Sequence, residues 1–128
     1  MRAVRGISRL LTAVAVAVTL VGCGPGSPGA SGSRSGIGTI KVTDLPAEAR
    51  TTLRLIAQGG PYPFRTDGVT FQNREHRLPA EPSGYYREFT VLTPGAGDRG
   101  ARRIIAGKDG QRFYTADHYL TFKIIEGA

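Results

Sequence analysis

The stretch at residues 84–92, GYYREFTVL, constrains the fold most. It is rich in aromatic and β-branched residues and therefore predicts a β-strand. Because side chains alternate between the two faces of a strand, Phe89 and Val91 are expected to meet a core, whereas Glu88 lies on the other face. A carboxylate in the middle of a strand costs stability unless water or a cation accompanies it.

The next predicted strand, at residues 101–106, offers cations to Glu88. Arg99 is expected to enter this strand, and it has the same parity as Arg103 in the run DRGARRII. Both guanidinium groups are therefore expected on one face. A carboxylate that faces guanidinium groups across neighbouring strands predicts a site for an anionic substrate.

The remaining elements predict an α+β fold, with one N-terminal helix packed on a twisted antiparallel sheet. The helix is expected to begin near Pro46, with Thr43 or Asp44 as its cap, and to end at the glycines of positions 59–60. The residues at helical spacing that should face the core are Ala49, Leu53, Ile56 and Ala57. The predicted strands are residues 38–42 at an edge, then 69–71, 84–92, 101–106, 111–115 and 119–125.

The N-terminal part of the chain predicts export. Residues 1–22 combine early arginines with an apolar run at 10–21, which is too short for a membrane span and typical of a signal peptide. LVGC at residues 20–23 resembles the bacterial lipoprotein box, so Cys23 is expected to be lipidated and to anchor the protein on the outer face of the cell membrane. Ordinary cleavage nearby, followed by free secretion, is the alternative. Residues 23–36 predict a flexible Gly/Ser/Pro-rich tether before a domain at residues 37–128.

The charge of the exported part is a weak guide to partners. The chain has 17 basic and ten acidic residues, and the signal holds three of the basic residues and none of the acids, which leaves a net charge of +4. A positive excess favours acidic partners such as nucleic acid. Many soluble proteins have a similar excess, so charge alone does not decide between them.

Four ionisable residues suit the cleavage of RNA by its own 2′-hydroxyl group. Glu88 can accept the hydroxyl proton and His118 can protonate the leaving 5′-oxygen. Arg99 and Arg103 can stabilise charge on the phosphoryl oxygens. Residue types and spacing alone do not distinguish a catalytic site from ordinary charged residues, because any basic β domain carries such residues.

Several ordered motifs resemble the microbial guanyl-specific ribonucleases, especially the streptomycete ribonuclease Sa type and more distantly barnase, and the resemblance runs from about residue 38 to residue 122. Those motifs are LPAEA at residues 45–49, DGVTFQNRE at 67–75, GYYREFTV at 84–91, TPGA at 93–96, RGARRII at 99–105 and DHY at 117–119. The resemblance implies the microbial ribonuclease fold and an endoribonuclease that cleaves single-stranded RNA after guanosine. The products would be a 2′,3′-cyclic phosphate and then a 3′-phosphate.

The resemblance also implies residue roles. Glu88 matches the general base, His118 the general acid, and Arg99 and Arg103 the phosphate-binding pair. Residues 71–75 match the guanine-recognition loop, in which the Glu75 carboxylate would accept hydrogen bonds from guanine. The other residues expected to bind substrate are Phe71, Gln72, Asn73, Arg74 and Tyr119, with Tyr119 stacking on the base and the amides of 72–74 serving guanine O6 and N7.

Some implications and alternatives stay open at this point. The proposed chemistry needs no cofactor and no metal, and the protein is expected to be a monomer. The family implies a barstar-like inhibitor protein as a possible partner. A catalytically inactive ribonuclease-fold lipoprotein that binds RNA or a partner protein is the alternative function. Tyr119 and Phe71 can also serve as core aromatics, and His76 is expected to be a surface residue.

One departure from the family bears on stability. Its Sa-type members join the N-terminal strand to the C-terminus by a disulfide, whereas Lys41 stands at the first cysteine position here and the final residues, IIEGA, carry no cysteine. A bridge that closes so long a loop contributes ~4–5 kcal/mol in the chain-entropy model. The domain is therefore expected to be less stable than relatives that have the bridge.

Overall fold

A computed structural model describes residues 36–128 of the protein. The predictions for the export signal, for Cys23 and for the tether up to residue 35 lie outside the described residues. The elements are β1 (Gly38–Lys41), a 3₁₀ turn (Val42–Asp44), α1 (Ala47–Gln58), β2 (Val69–Thr70), β3 (Tyr86–Thr90), β4 (Arg103–Gly107), β5 (Arg112–Thr115) and β6 (Lys123–Glu126). None of the helical segments within residues 36–128 has the length and hydropathy that a membrane crossing needs.

The helix α1 ends as predicted but begins differently. Gly59 follows its last turn with a left-handed φ of 77°, and the Gly59 N–H group donates to the Ile56 carbonyl at 3.3 Å. At the other end Pro46 is the N-cap, and no side chain caps the first turn. The predicted cap by Thr43 or Asp44 is therefore wrong, because these residues belong to the preceding 3₁₀ turn.

One face of α1 packs on the sheet. Of the residues predicted to face the core, those that pack there are Ala49, Leu53 and Ile56. Ala57 is exposed, so its predicted burial is wrong. Thr52 is buried instead, and its hydroxyl donates to the Thr90 carbonyl of β3 at 3.0 Å. This hydrogen bond ties the helix to β3, the strand that carries Glu88.

The six strands form one mixed sheet in the order β1-β6-β5-β4-β3-β2. Strands β2 to β6 pair antiparallel with their neighbours, as predicted. The edge strand β1 pairs parallel with β6, so the prediction of a wholly antiparallel sheet is wrong at this edge. Antiparallel pairing follows from hairpin connections, and no hairpin joins β1 to β6, which lie at opposite ends of the domain sequence.

Apolar clusters cover both faces of the sheet. Ile104 and Ile105 of β4 are fully buried and point to opposite faces because they are consecutive in the strand. The cluster on the Ile104 side includes α1. The cluster on the Ile105 side consists of Leu78, Tyr86, Ile105, Phe113 and Phe122. Glu88 lies directly opposite Ile105 in the register of β3 and β4, so it projects from the face away from α1.

Candidate active site

Glu88 presents a partly buried carboxylate in β3. Its side chain is 14% exposed. One oxygen, Oε2, accepts a hydrogen bond from the Tyr119 hydroxyl at 2.8 Å. The other, Oε1, lies 3.7 Å from Nη2 of Arg99. The carboxylate thus has one close neutral donor and one more distant cation.

Arg103 begins β4 and lies opposite Thr90 of β3. It is 3% exposed, and its Nη1 donates to the carbonyls of Arg99, Gly100 and Arg102 at 3.4, 2.9 and 2.8 Å. The main chain therefore holds one edge of the guanidinium. Among the described residues, Nε has no hydrogen-bond partner and no carboxylate forms an ion pair with this side chain. A buried cation without an anion is costly, and such a group is suited to binding an anionic ligand.

Arg99 joins the cluster from a loop. Because β4 begins at Arg103, the prediction that Arg99 enters this strand is wrong. The guanidinium is placed instead by the Thr90 hydroxyl, which accepts hydrogen bonds from Arg99 Nε and Nη2 at 3.1 and 2.9 Å. Its Cζ also lies 5.9 Å from the centre of the Phe64 ring.

The bend between Arg99 and β4 requires a glycine. Gly100 has a φ of 63°, in the left-handed region, and its N–H group donates to Asp98 Oδ1 at 2.8 Å. A Cβ atom at this position would lie 2.8 Å from Thr93 Cβ and closer still to its hydroxyl. Since the Gly100 carbonyl also accepts a hydrogen bond from Arg103, this bend helps to hold both arginines.

His118 and Tyr119 lie in a turn, not at the start of the last strand. Their φ angles are 55° and 70°, and β6 begins only at Lys123. The prediction of a strand from residue 119 is therefore wrong for its first half. The His118 N–H donates to the Ala101 carbonyl at 3.0 Å, and the Tyr119 N–H donates to Thr115 Oγ1 at 3.1 Å. These contacts hold the turn against the segment that precedes β4 and the end of β5.

Asp117 stabilises the same turn. Its Oδ1 accepts hydrogen bonds from the Thr115 hydroxyl and from the Thr121 N–H, both at 2.9 Å, and its Oδ2 accepts one from the Thr121 hydroxyl at 2.5 Å. The hydrogen bonds from Thr121 have the largest effect, and together with that from Thr115 they hold the pKa of Asp117 below its usual range. Partial burial of the carboxylate acts in the opposite direction. The carboxylate therefore stays ionised and keeps these contacts at neutral pH.

The Tyr119 side chain extends from this turn to the Glu88 carboxylate. Burial raises the pKa of its hydroxyl, and the hydrogen bond to Glu88 and the charge of Glu88 raise it further, while Arg103 acts in the opposite direction. The hydroxyl thus remains a donor to Glu88 at neutral pH. The Tyr119 ring centre lies 4.8 Å from that of His118 and 5.2 Å from that of Phe71.

The predicted recognition segment follows β2 and is shaped by Asn73. This residue is 9% exposed and has a left-handed φ of 49°, which asparagine tolerates. Its Nδ2 donates to the Leu78 carbonyl at 2.9 Å, and its Oδ1 accepts the Leu78 N–H at 3.1 Å. The sequence predicted a role for the Asn73 amide of the main chain, and the structure adds this side-chain role to it.

Several donors and acceptors of the segment remain available to a ligand. Within residues 36–128, the backbone N–H groups of Gln72, Asn73 and Arg74 donate no hydrogen bond. Gln72, Arg74 and Glu75 are exposed, and the Glu75 side chain retains 68% of its accessible surface. Glu75 Oε2 accepts a hydrogen bond from Arg77 Nε at 2.7 Å.

A pocket of about 280 Å³ brings the recognition segment and the carboxylate of β3 together. Its lining residues are Thr70, Phe71, Gln72, Asn73, Arg74, Glu75, Arg77, Glu88, Tyr119 and Phe122. Arg99 and Arg103 lie at the Glu88 end of this pocket by their contacts, and His118 lies against Tyr119. Seven of the ten catalytic and substrate-binding residues predicted from the sequence therefore line this pocket, and the other three neighbour residues that line it.

Residues that the sequence analysis did not single out also shape the site. These are Thr90, which holds Arg99, Asp117, which holds the turn at 118–119, and Arg77 and Phe122, which line the pocket. Thr90 shares a strand face with Glu88, so strand parity contained a signal for it. No group of three or more His, Cys, Asp or Glu residues within the described range is arranged to hold a metal ion.

Comparison with known proteins identifies the family of this chain. A family model described as ribonuclease matches residues 29–126. The chain is 56% identical over 90 residues to guanyl-specific ribonuclease Sa of Kitasatospora aureofaciens, a match that covers 70% of this chain and 94% of that protein. It is 50% identical over 93 residues to guanyl-specific ribonuclease St of Saccharopolyspora erythraea, covering 73% of this chain and 92% of that protein.

Solved structures of a guanosine-nucleotide-binding ribonuclease also match this chain. Ribonuclease Sa2, in complexes with mononucleotides, matches with a TM-score of 0.70 and 51% sequence identity over 70% of this chain and 94% of that chain. A crystal structure of ribonuclease Sa2 with guanosine-2′-cyclophosphate matches with a TM-score of 0.67, 51% identity and coverage of 70% and 96%. The protein is therefore a member of the ribonuclease family.

Proposed function

We propose that the protein is a guanine-specific endoribonuclease that cleaves single-stranded RNA on the 3′ side of guanosine. The observation that carries this proposal is the convergence of Glu88, Arg99 and Arg103 at one end of a pocket whose wall is the segment of residues 71–75. A base in the pocket would bring its own ribose and 3′-phosphate to the carboxylate and the guanidinium groups. The guanyl-specific relatives support the choice of base.

In the first step the 2′-oxygen of guanosine attacks the adjacent phosphorus atom. Glu88 accepts the proton of the 2′-hydroxyl, a bond forms between that oxygen and phosphorus, and the bond from phosphorus to the 5′-oxygen of the next nucleotide breaks. His118 in its protonated form gives its proton to the leaving 5′-oxygen. The products are a 2′,3′-cyclic phosphate and a free 5′-hydroxyl group.

The arginines stabilise the charge that develops on the non-bridging phosphoryl oxygens. Arg103 is suited to this role because its guanidinium is already desolvated and fixed by main-chain carbonyls. Such preorganised donors cost little rearrangement in the transition state.

In the second step water opens the cyclic phosphate. His118, now neutral, accepts a proton from water as the water oxygen bonds to phosphorus. Glu88, now protonated, returns its proton to the 2′-oxygen as that oxygen leaves. The product is a guanosine 3′-phosphate, and both groups regain their starting protonation states.

Guanine recognition is assigned to Glu75 and to the main chain before it. The Glu75 carboxylate would accept hydrogen bonds from guanine N1–H and the 2-amino group, and the backbone N–H groups of residues 72–74 would serve O6 and N7. Adenine presents an acceptor at N1, which faces a carboxylate unfavourably. Phe71 and Tyr119, whose ring centres lie 5.2 Å apart, provide aromatic surface for the base.

The activity is tested with the dinucleotides GpC and ApC. We expect turnover of GpC in buffer that contains EDTA, with ApC cleaved at least a hundredfold more slowly. A site built for hydrogen bonds strongly rejects a base that cannot form them, and discrimination of about 10⁴-fold is reached in such sites. Equal rates for the two substrates would contradict guanine specificity. Binding of GpC without turnover would instead favour the inactive RNA-binding alternative.

We further propose that the protein is exported and anchored through a lipid on Cys23. The support is the LVGC motif at the end of the apolar run. Expression of a Cys23→Ala variant in the native host tests this, with fractionation of cells into membrane and soluble material. Loss of the ribonuclease domain from the membrane fraction is expected, and equal membrane association of both proteins would refute the anchor.

A further inference from the structure

Arg77 connects two segments that each contribute residues to the base pocket. Its Nε donates to Glu75 Oε2 at 2.7 Å, and its Nη1 donates to the Leu120 carbonyl at 2.8 Å. Leu120 directly follows Tyr119, whose ring lines the pocket. A single guanidinium group, 43% exposed, thus bonds at once to the recognition carboxylate and to the turn that carries His118.

We propose that Arg77 is a positioning residue for base specificity, which orients the Glu75 carboxylate so that it accepts both donors of guanine. The proposal rests on the guanine-specific activity proposed above. Arg77 itself makes no contact with the reacting atoms in this account. Its effect is exerted through Glu75 and the main chain at Leu120.

The need for positioning follows from the exposure of Glu75. Its side chain is 68% exposed, so without a partner it would sample many rotamers, and fixing such a side chain when a base binds costs entropy. Guanine N1–H and its 2-amino group lie side by side and require a carboxylate in one defined orientation. The Arg77 contact uses one lone-pair direction of Oε2. Within residues 36–128 no other group occupies Oε1 or the second lone-pair direction of Oε2.

The contact with Leu120 fixes the guanidinium in turn. A surface ion pair contributes little when both side chains are mobile. Here the main chain of the turn at residues 118–120 holds one nitrogen of the fork, so the other nitrogen is presented to Glu75 in a fixed direction. The same link keeps the recognition segment in place relative to the Tyr119 ring.

Guanosine and inosine substrates test the orientation of Glu75. Inosine retains O6, N7 and N1–H but lacks the 2-amino group, so the ratio of kcat/KM for GpC to that for IpC reports the second hydrogen bond. We expect Arg77→Ala to raise KM for GpC about three- to tenfold, with a smaller effect on kcat, because the lost contact is a partly exposed one. We also expect the GpC to IpC ratio to fall towards unity. A general loss of structure would lower kcat/KM equally for both substrates and leave that ratio unchanged.

Three further variants sharpen the test. Arg50→Ala is the matched control, because Arg50 is an exposed arginine that also donates to a main-chain carbonyl, that of Thr43, but lies on α1 on the other side of the sheet. It should leave both kcat/KM values unchanged. Arg77→Lys should recover part of the ratio, since an ammonium group can still contact Glu75. Adding Arg77→Ala to Glu75→Gln should lower the ratio no further, because Arg77 acts through Glu75.

The outcomes separate this proposal from the proposed function. If wild-type protein does not prefer GpC to ApC, the guanine-specific function itself is wrong. If wild-type protein prefers GpC but Arg77→Ala retains the GpC to IpC ratio, the positioning role is wrong while the function stands. A lower KM in Arg77→Ala would also overturn it, since Arg77 would then compete with the base for Glu75. A melting curve of each variant verifies that the fold is intact.

Discussion

The two ends of the candidate site are built in different ways. At the catalytic end Glu88 and Arg103 lie in paired strands, with an exposed side-chain fraction of 14% for Glu88 and 3% for the whole of Arg103. At the recognition end Glu75 is 68% exposed and lies in a segment shaped by the side chain of Asn73. Sheet register therefore fixes the proposed general base and the buried arginine, whereas a few local hydrogen bonds fix the groups that would select the base.

This difference matters because the two tasks need different tolerances. A misplacement of about 1 Å at reacting atoms can cost about a hundredfold in rate. Base selection depends on hydrogen bonds formed when the substrate arrives, and a more exposed loop allows a base to enter. Changes at the catalytic end should therefore act mainly on kcat, and changes at the recognition end mainly on KM and on specificity.

The largest effect is expected for the proton-transfer groups. Glu88→Ala and His118→Ala should each lower kcat for GpC by about 10²–10⁴-fold, because general acid–base catalysis contributes that much. KM should change little, since neither residue is assigned to the base. Steady-state kinetics on folded variants, verified by thermal melting, measures both constants. A loss of less than tenfold in kcat for either variant would remove that residue from the catalytic pair.

The second-largest effect is expected for a substitution of Glu75 at the recognition end of the site. Glu75→Gln should lower kcat/KM for GpC by about 10–150-fold, because hydrogen bonds to a charged group are worth about 1.5–3 kcal/mol. Most of the change should appear in KM, and the rate with ApC should not fall. Initial rates with both dinucleotides measure this. An equal loss on GpC and ApC would show that Glu75 supports the fold and not the choice of base.

A glycine substitution tests how the catalytic arginines are held. Gly100→Ala should destabilise the domain by about 1–3 kcal/mol and lower kcat, because a left-handed residue gains a Cβ atom that meets Thr93. Gly97→Ala is the control, since a Cβ atom there meets nothing within 4 Å. Urea unfolding and GpC kinetics compare the two variants. Similar values for both would mean that the bend at Gly100 does not hold Arg99 and Arg103.

The smallest effect concerns the turn that joins the two ends. Asp117→Asn should destabilise the protein by less than about 1 kcal/mol at neutral pH, since water screens a partly exposed carboxylate. The folded protein lowers the pKa of Asp117, so its contribution is complete above the unfolded value of about 3.9 and is lost as the pH falls through the lower folded value.

Urea unfolding of the wild type and of Asp117→Asn measures this contribution. It is carried out at neutral pH and again well below the unfolded Asp pKa of about 3.9. The difference between the two proteins should shrink at the lower pH, where Asp117 is protonated. A difference that stays constant with pH would show that the charge of Asp117 does not stabilise the turn.

The parts of the site that depend on local strand pattern could be predicted from the sequence. Glu88 and Arg103 lie on one sheet face, as the alternation of side chains indicates, and the register sets Arg103 opposite Thr90, two residues from Glu88. The helix was also predictable from its apolar spacing and its terminal glycines. In each case the relevant signal lies within a few consecutive residues.

The parts that depend on turns or on distant pairing were not predictable. His118 and Tyr119 adopt left-handed φ angles, which are uncommon in residues other than glycine, so no local pattern ended the predicted strand before them. The parallel pairing of β1 with β6 joins segments from the two ends of the domain. Resemblance to the ribonucleases nevertheless identified the residues of these turns, because it matches motifs without needing their conformation.

The central claim is that the buried acid–arginine cluster directs the guanosine 2′-oxygen to the neighbouring phosphorus. Phosphorus NMR of GpC during incubation with the wild-type protein and EDTA tests it most directly. The account predicts that guanosine 2′,3′-cyclic phosphate accumulates first, together with cytidine, and then converts to the 3′-phosphate. Formation of 3′-phosphate or of 5′-phosphate products without a cyclic species would contradict it.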